Sequence, residues 1–344
     1  MYQFKRINFD QLSEVKFNDF PSKTVLTTKD WIRFVEEDSR VTPYILEVYK
    51  DDEFCGYFSA LCTKKFFFKI VGSPFPGWST LFMGFDLLND EIERESILLD
   101  LVKFIKKDTK CHYIQISDRA FSFDRLEELR KSTKCYIESF ETLELSIDGD
   151  DAFFFKNMKT DCRNFIRQFE RRGATLEYAE PNDEFAEEFF EQLKDVFAKQ
   201  NLIPTYTAEK VKCLLKHLAK NDMVLCLRVR DPEGKSIATS IFPGYNKKMF
   251  FWGGASYRTY QHYRPNEYMI YSAMRYWRDR GCTEFDMQGN RSYKKKFGSW
   301  EVNIPIVIFP KYRFLVLFKR AASSLYYFTG SLFWKFGIRR KKTL

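Results

Sequence analysis

Phe250–Gly298 reads FFWGGASYRTYQHYRPNEYMIYSAMRYWRDRGCTEFDMQGNRSYKKKFG. A strand over Lys248–Ala255 ends in Gly253-Gly254, where the missing side chains allow close approach to the backbone. The polar loop Ser256–Arg264 follows and is cationic at Arg258, His262 and Arg264. Pro265 stands where a first-turn proline belongs, and the helix it opens runs to about Arg280, stopped by Gly281. Thr283–Met287 is the next strand.

Upstream lie a strand at Met223–Arg230, the turn Asp231-Pro-Glu-Gly234 and a strand at Ser236–Pro243. The same succession occurs earlier in the chain. Strand Pro43–Lys50, turn Asp51-Asp52-Glu53, strands Phe54–Cys62 and Lys65–Gly72, the Pro/Gly loop Ser73–Gly77, a strand near Leu81–Phe85, helix Glu91–Lys107 and strand His112–Ser117 repeat the order at a period of about 170–180 residues. This predicts an α/β (α+β) fold built by tandem duplication, with one domain at 1–150, a second at 151–310 and a tail at 311–344. Three helices are expected between the repeats, at Lys159–Arg172, Glu184–Lys199 and Ala208–Lys220. The first of them carries Arg163, Arg167 and Arg171 along one face.

The formal net charge is +9, with 56 Lys+Arg against 47 Asp+Glu. Nine of the bases and none of the acids lie in Lys311–Leu344, so residues 1–310 are formally neutral. A neutral body weakens any reading as a DNA or RNA binder, because tracking a phosphate backbone needs a basic surface. The 8 cysteines never form a C-x-x-C pair, and there are only 3 His. No zinc ribbon, disulfide framework or metal centre is expected, and reduced cytoplasm suits that spacing. The start MYQFKRIN has no apolar h-region, so secretion is not expected.

Several residues have chemistry to offer. The helix N-terminus at Asn266 presents free amides and the positive dipole end; with Arg258, His262 and Arg264 it forms a candidate anion receptor for the donor. The alternative is a solvated loop before an ordinary helix. On Thr283–Gln288, alternation places Glu284, Asp286 and Gln288 on one face. Asp286 is then either a base or amine-orienting group or a structural loop cap, and Tyr293 either a proton donor or a packed ring.

The order Pro-x-x, helix, Arg-Gly-Cys, Phe-Asp-x-x-Gly, Tyr-Lys-x-x-Phe-Gly resembles the second domain of tandem GNAT-fold acyltransferases, the FemAB/FemX-like group and its CelD/BcsL-like relatives. The matching positions are Gly281, Phe285-Asp286, Gly289, Tyr293-Lys294 and Phe297-Gly298, and the Arg-rich helix Asp161–Gly173 is similar to the group's inter-domain segment. The resemblance implies two GNAT-like domains, each a mixed, mostly antiparallel sheet with flanking helices. It also implies N-acyl transfer to an amine on a cell-envelope or polysaccharide precursor. The acyl donor would be acyl-CoA (acetyl-CoA), with aminoacyl-tRNA as the donor of true Fem-type enzymes. Asp286 and Tyr293 become catalytic candidates, while Thr205, Tyr206, Gln288, Lys295 and Lys296 become substrate-binding ones. The chain departs from GNAT enzymes in one respect, since Arg258–Arg264 lacks the glycines of a pyrophosphate loop.

The tail KYRFLVLFKRAASSLYYFTGSLFWKFGIRRKKTL has a longest uncharged run, Ala321–Trp334, of 14 residues, too short to span a bilayer. Aromatic residues flanked by Lys and Arg suit a segment lying on an anionic membrane at the cytoplasmic face. A terminal helix packed on the domain is the other reading. A small or lipid-linked amine is the expected acceptor. The competing reading is a non-catalytic, membrane-peripheral interaction protein that keeps the scaffold without the chemistry.

Overall fold

A computed structural model describes residues 1–89, 91–198, 204 and 206–321. The first half supplies strands β1 (Tyr2–Ile7), β2 (Thr42–Lys50), β3 (Glu53–Lys65), β4 (Phe68–Ser73), β5 (Gly84–Leu87), β6 (Tyr113–Ser117) and β7 (Tyr136–Ser146). The second supplies β8 (Thr175–Ala179), β9 (Val224–Arg230), β10 (Ser236–Tyr245), β11 (Lys248–Phe250), β12 (Gly253–Ser256), β13 (Glu284–Asp286) and β14 (Trp300–Pro310). They form one sheet in the order β1-β2-β3-β4-β6-β14-β7-β13-β11-β10-β9-β8, with β5 beside β3 and β12 beside β10.

The duplication is visible in the pairing. β3 holds β4 and β5 while β4 runs parallel to β6; β10 holds β11 and β12 while β11 runs parallel to β13. Between the repeats the last strands are exchanged: β14 pairs with β6, and β7 pairs with β13. The exchanged strands also pair with each other, from Trp300↔Glu144 to Ile308↔Tyr136. Leu143, Leu145 and Ile147 therefore lie in the second half's core with Met249 and Phe285, while Val307 and Phe309 lie in the first half's core with Ile114 and Ile116.

Helices cover the faces of the sheet, and two of them open on threonine caps. Thr28 accepts from the Trp31 amide to open Lys29–Ser39, and Thr207 accepts from Lys210 to open Ala208–Leu218. These two helices pack against each other across the halves, and Lys210 reaches Asp38 at 2.8 Å. One apolar cluster joins Trp31 and Phe34 to Phe189, Leu214 and Trp252, so the halves share a core. Gly173, at φ +77°, ends the helix Thr160–Arg171.

The expected strand Lys248–Ala255 is in fact two strands interrupted at Phe251-Trp252. The Phe251 amide still donates to Asp286 on β13 at 2.9 Å, but the Trp252 amide donates to Ile241 on β10. The chain leaves one neighbour for the other, and β12 pairs only with β10 among the described residues. An opening results beside β12, where the chain has left β13. Sequence patterning could not show this, because every residue in the break is a good strand former.

Candidate functional site

A cavity of about 330 Å³ lies at that opening, walled by β12, the start of helix Pro265–Arg278 and the 3₁₀ turn Ser292–Phe297. Its polar lining includes Ser240, Ser256, Gln261, Arg264, Asn266, Glu267, Tyr293 and Lys296. Four residues singled out in the sequence thus meet here: Arg264, Asn266, Tyr293 and Lys296. Gln261 and Glu267 were not foreseen, although Glu267 occupies the third helical position, where acids favour the positive dipole end.

The local backbone explains the cavity's chemistry. Arg264 precedes the helix in left-handed conformation (φ 60°), and no side chain caps the helix start. The Asn266 side chain donates to Ser256 Oγ at 3.2 Å, tying the helix to β12. A Cβ on Gly254 would meet Ser240 Oγ at 2.6 Å, so the floor of the opening is bare backbone by steric necessity. The Arg264 guanidinium lies over the Phe165 ring at 4.0 Å, and its Nε is buried with no partner among the described residues. Lys296 is ion-paired with Glu267. Burial pushes the Tyr293 phenol up to about 12, so it is a protonated donor at neutral pH.

Asp286 sits behind the cavity rather than in its wall. Its Oδ1 accepts from Thr142 Oγ1 at 2.5 Å and from the Gln288 amide at 2.8 Å, while Oδ2 is buried without a hydrogen bond. Burial is the main force raising its carboxyl to about 6; Thr142 opposes the rise and the nearby Glu144 adds to it. Lys294 is also buried, and its Nζ donates to the carbonyls of Met287, at 2.6 Å, and Gln288. Burial pushes this ammonium down to about 8, against the pull of Asp286. Asp286 and Lys294 together fix the turn Gln288-Gly289, where both residues have positive φ, and so fix the base of the segment carrying Tyr293.

The raised carboxyl has a stability consequence with a definite sign. Below pH 3.8 Asp286 is protonated folded or unfolded and costs nothing; stability is lost as pH rises through the folded value near 6. The displacement is worth about 3 kcal/mol above that value. Asp286→Asn is expected to unfold at higher temperature than wild type at pH 7, with the gap closing toward pH 4. Thermal unfolding across pH checks it, and a pH-independent gap would refute the assignment.

Other expected positions lie elsewhere. Gln288 contributes its backbone to the turn, and its side-chain Nε2 is buried without a partner. Lys295 pairs with Glu301 at 2.5 Å on the exposed side, away from the cavity. Arg258 and His262 are exposed on the 3₁₀ turn Arg258–Tyr263, and His262 packs on Tyr263 with ring centroids 4.2 Å apart. Tyr206 stacks on Trp252 at 4.1 Å and donates to the Trp252 carbonyl, plugging the strand break from behind. Thr205 and residues 322–344 of the tail lie outside the described residues. Arg163 spends its guanidinium on the carbonyls of Phe155 and Met158 and on Thr160.

A second polar cavity, of about 420 Å³, opens between the halves. The buried pair Lys23–Asp86, at 3.1 Å, lines it, as do Arg119, Lys248 and Glu284. Glu144, at its border, is held below the ordinary carboxylate range: burial pushes it up, but Arg119 and Lys248 outweigh that.

Comparison with known proteins agrees with this architecture. Residues 156–295 match the acetyltransferase (GNAT) domain family. The crystal structure of FemX superposes with a TM-score of 0.71 at 15% identity, covering 88% of this chain and 96% of that one. A conserved protein of unknown function from Bacteroides thetaiotaomicron gives 0.54 at 10% identity over 90% of this chain and 99% of that one. A tandem GNAT protein from the clavulanic acid biosynthesis pathway gives 0.51 at 6% identity over 91% and 99%. No curated protein sequence matches the chain. With the repeated pairing, the strand break and the cavity already described, these likenesses show a tandem GNAT fold similar to that of FemX, with residues 156–295 matching the acetyltransferase (GNAT) domain.

Proposed function

We propose that the protein is an N-acyltransferase, moving an acetyl, acyl or aminoacyl group from an activated donor to an amine. The observation that carries this reading is the cavity beside β12, where an uncapped helix start, Arg264 and the protonated Tyr293 converge. The donor supplies the activated acyl carbonyl; the chain supplies the rest. The edge of β12 that faces away from β10 has no strand partner among the described residues, so its amides are placed to hold the carbonyl oxygen as charge develops on it. Arg264 and the helix start receive an anionic part of the donor. Glu267, the one carboxylate in the described lining, takes the proton from the acceptor amine, and Tyr293 protonates the leaving group. Asp286 acts as a positioning residue, through the Gln288 turn.

The buried, unpartnered Arg264 Nε and the bare Gly254 floor suit the pyrophosphate and narrow arm of acyl-CoA (acetyl-CoA). Aminoacyl-tRNA is the alternative donor. The acceptor we propose is a small or lipid-linked amine of a cell-envelope or polysaccharide precursor, modified in the cytoplasm at the inner face of the membrane. Among the described residues no helix is long and apolar enough to cross a bilayer.

Titration calorimetry with acetyl-CoA, a longer acyl-CoA and an aminoacyl-tRNA tests the reading. The expected result is acyl-CoA binding that Arg264→Ala weakens by about 10- to 100-fold, the loss typical of a charge-assisted contact. Failure of every donor to bind would favour the non-catalytic, membrane-peripheral scaffold, a reading that draws on the missing glycines of Arg258–Arg264.

A further inference from the structure

One end of the sheet carries an unusual surface. β3 and β4 are joined by a two-residue turn, Phe66-Phe67, since Lys65 pairs with Phe68. The two rings are 80% and 85% exposed, and Phe66 has φ +53°. Tight hairpin turns with positive φ favour Asn, Asp and Gly, and a bulky residue there is strained. Neither phenylalanine recovers that cost by packing, so the fold alone does not explain this pair.

The surface continues beyond the turn. β14 ends beside the same edge, with the Lys311 amide donating to His112 and the His112 amide donating to Lys69. In the helical segment 314–321, Leu315 and Val316 are buried against Ile70, Tyr113 and Ile308. That anchoring turns Phe314, Leu317 and Phe318 outward, at 52%, 67% and 55% exposure. Phe314 touches Phe68 at 6.1 Å and stacks on Tyr312 at 5.7 Å, so turn and helix make one apolar face.

Its rim is basic. Lys64, Lys65, Lys69, Lys110, Lys311 and Arg313 are all exposed, and the described residues offer none of them an ion-pair partner. The nearby acids are already engaged, Asp108 by Arg6 and Tyr44, and Glu138 by Lys319 and Arg320. Exposed aromatic residues within a ring of unpaired cations match the acyl–headgroup boundary of an anionic bilayer, where rings bury and cations meet lipid phosphates.

We propose that the Phe66-Phe67 turn and the Tyr312–Phe318 segment form a docking surface for an anionic lipid bilayer. The surface stands on described residues alone and is independent of the acyl-transfer reading. Full-length protein is mixed with phosphatidylglycerol-containing vesicles and with pure phosphatidylcholine vesicles, and sedimentation measures the bound fraction. The wild type is expected to bind the anionic vesicles and to release them as salt rises. Phe66→Gly with Phe67→Asn, a pair that suits a turn in which only the first residue has positive φ, is expected to weaken binding by about 10-fold or more with no loss of thermal stability. Lys311→Ala with Arg313→Ala should flatten the salt dependence. Wild-type binding by the turn variant, or equal binding to neutral vesicles, overturns the proposal. So does a wild-type dimer that the turn variant dissociates, since the face would then join two copies of the chain.

Discussion

Glu267→Gln is expected to lower kcat/KM for acyl transfer by about 10²- to 10⁴-fold, the range a positioned general base contributes. At neutral pH an aliphatic amine arrives as ammonium, and nitrogen attacks only after losing a proton. Glu267 is the one acid in the described cavity lining, at the third position of the helix Pro265–Arg278. Glutamine keeps the shape and one acceptor oxygen but cannot take a proton. The donor's Kd should therefore hold while turnover falls, a split that a generally distorted cavity would not give. Lys296 needs its own control because it is paired with Glu267. Lys296→Met should raise the KM for the acceptor or donor more than it lowers kcat. Turnover unchanged in Glu267→Gln would remove the base from this residue, and a fall matched by an equal loss of donor affinity would reduce Glu267 to a structural partner of Lys296.

What the sequence made legible follows from how local each signal is. Pro265 and Gly281 bracket a helix observed at Pro265–Arg278, because a first-turn proline and a terminal glycine act within a few residues. The duplication was legible because the order of elements survives even where residues differ. The lysine triplet was not. Lys294, Lys295 and Lys296 are chemically identical, but a 3₁₀ turn repeats every three residues and so places Lys294 on the buried side with Phe297. Period three counted back from Phe297 was the available signal. The partners of Asp286 were beyond reach for another reason. Thr142, 144 residues away, meets Asp286 only because the repeats exchange their last strands. Such an exchange changes no composition or periodicity, so each strand reads the same whichever sheet receives it.

The same exchange predicts that residues 1–150 will not fold alone, and we propose 1–150 and 151–310 as repeats rather than independent folding units. In the isolated fragment β6 would lose β14, while β7 would lose both β14 and β13. Pairing β7 directly with β6 would close the sheet on paper. The side chains oppose it, since Leu143, Leu145 and Ile147 are fitted among Phe242, Met249 and Phe285 of the second half. The vacancy beside β6 is shaped for Val307 and Phe309. A sheet with a bare central edge and a displaced apolar strand is a template for aggregation. The fragment is therefore expected to lack a cooperative thermal transition and to associate non-specifically. Co-expressed with 151–344, it should be recovered as a one-to-one complex, because each half then holds the strand that completes the other. A monomeric 1–150 fragment with a sharp unfolding transition would show that the exchange is dispensable. A cooperative complex from two separately disordered fragments would show that the exchanged strands join the two repeats into one folding unit, with Asp286 and Thr142 meeting across the join.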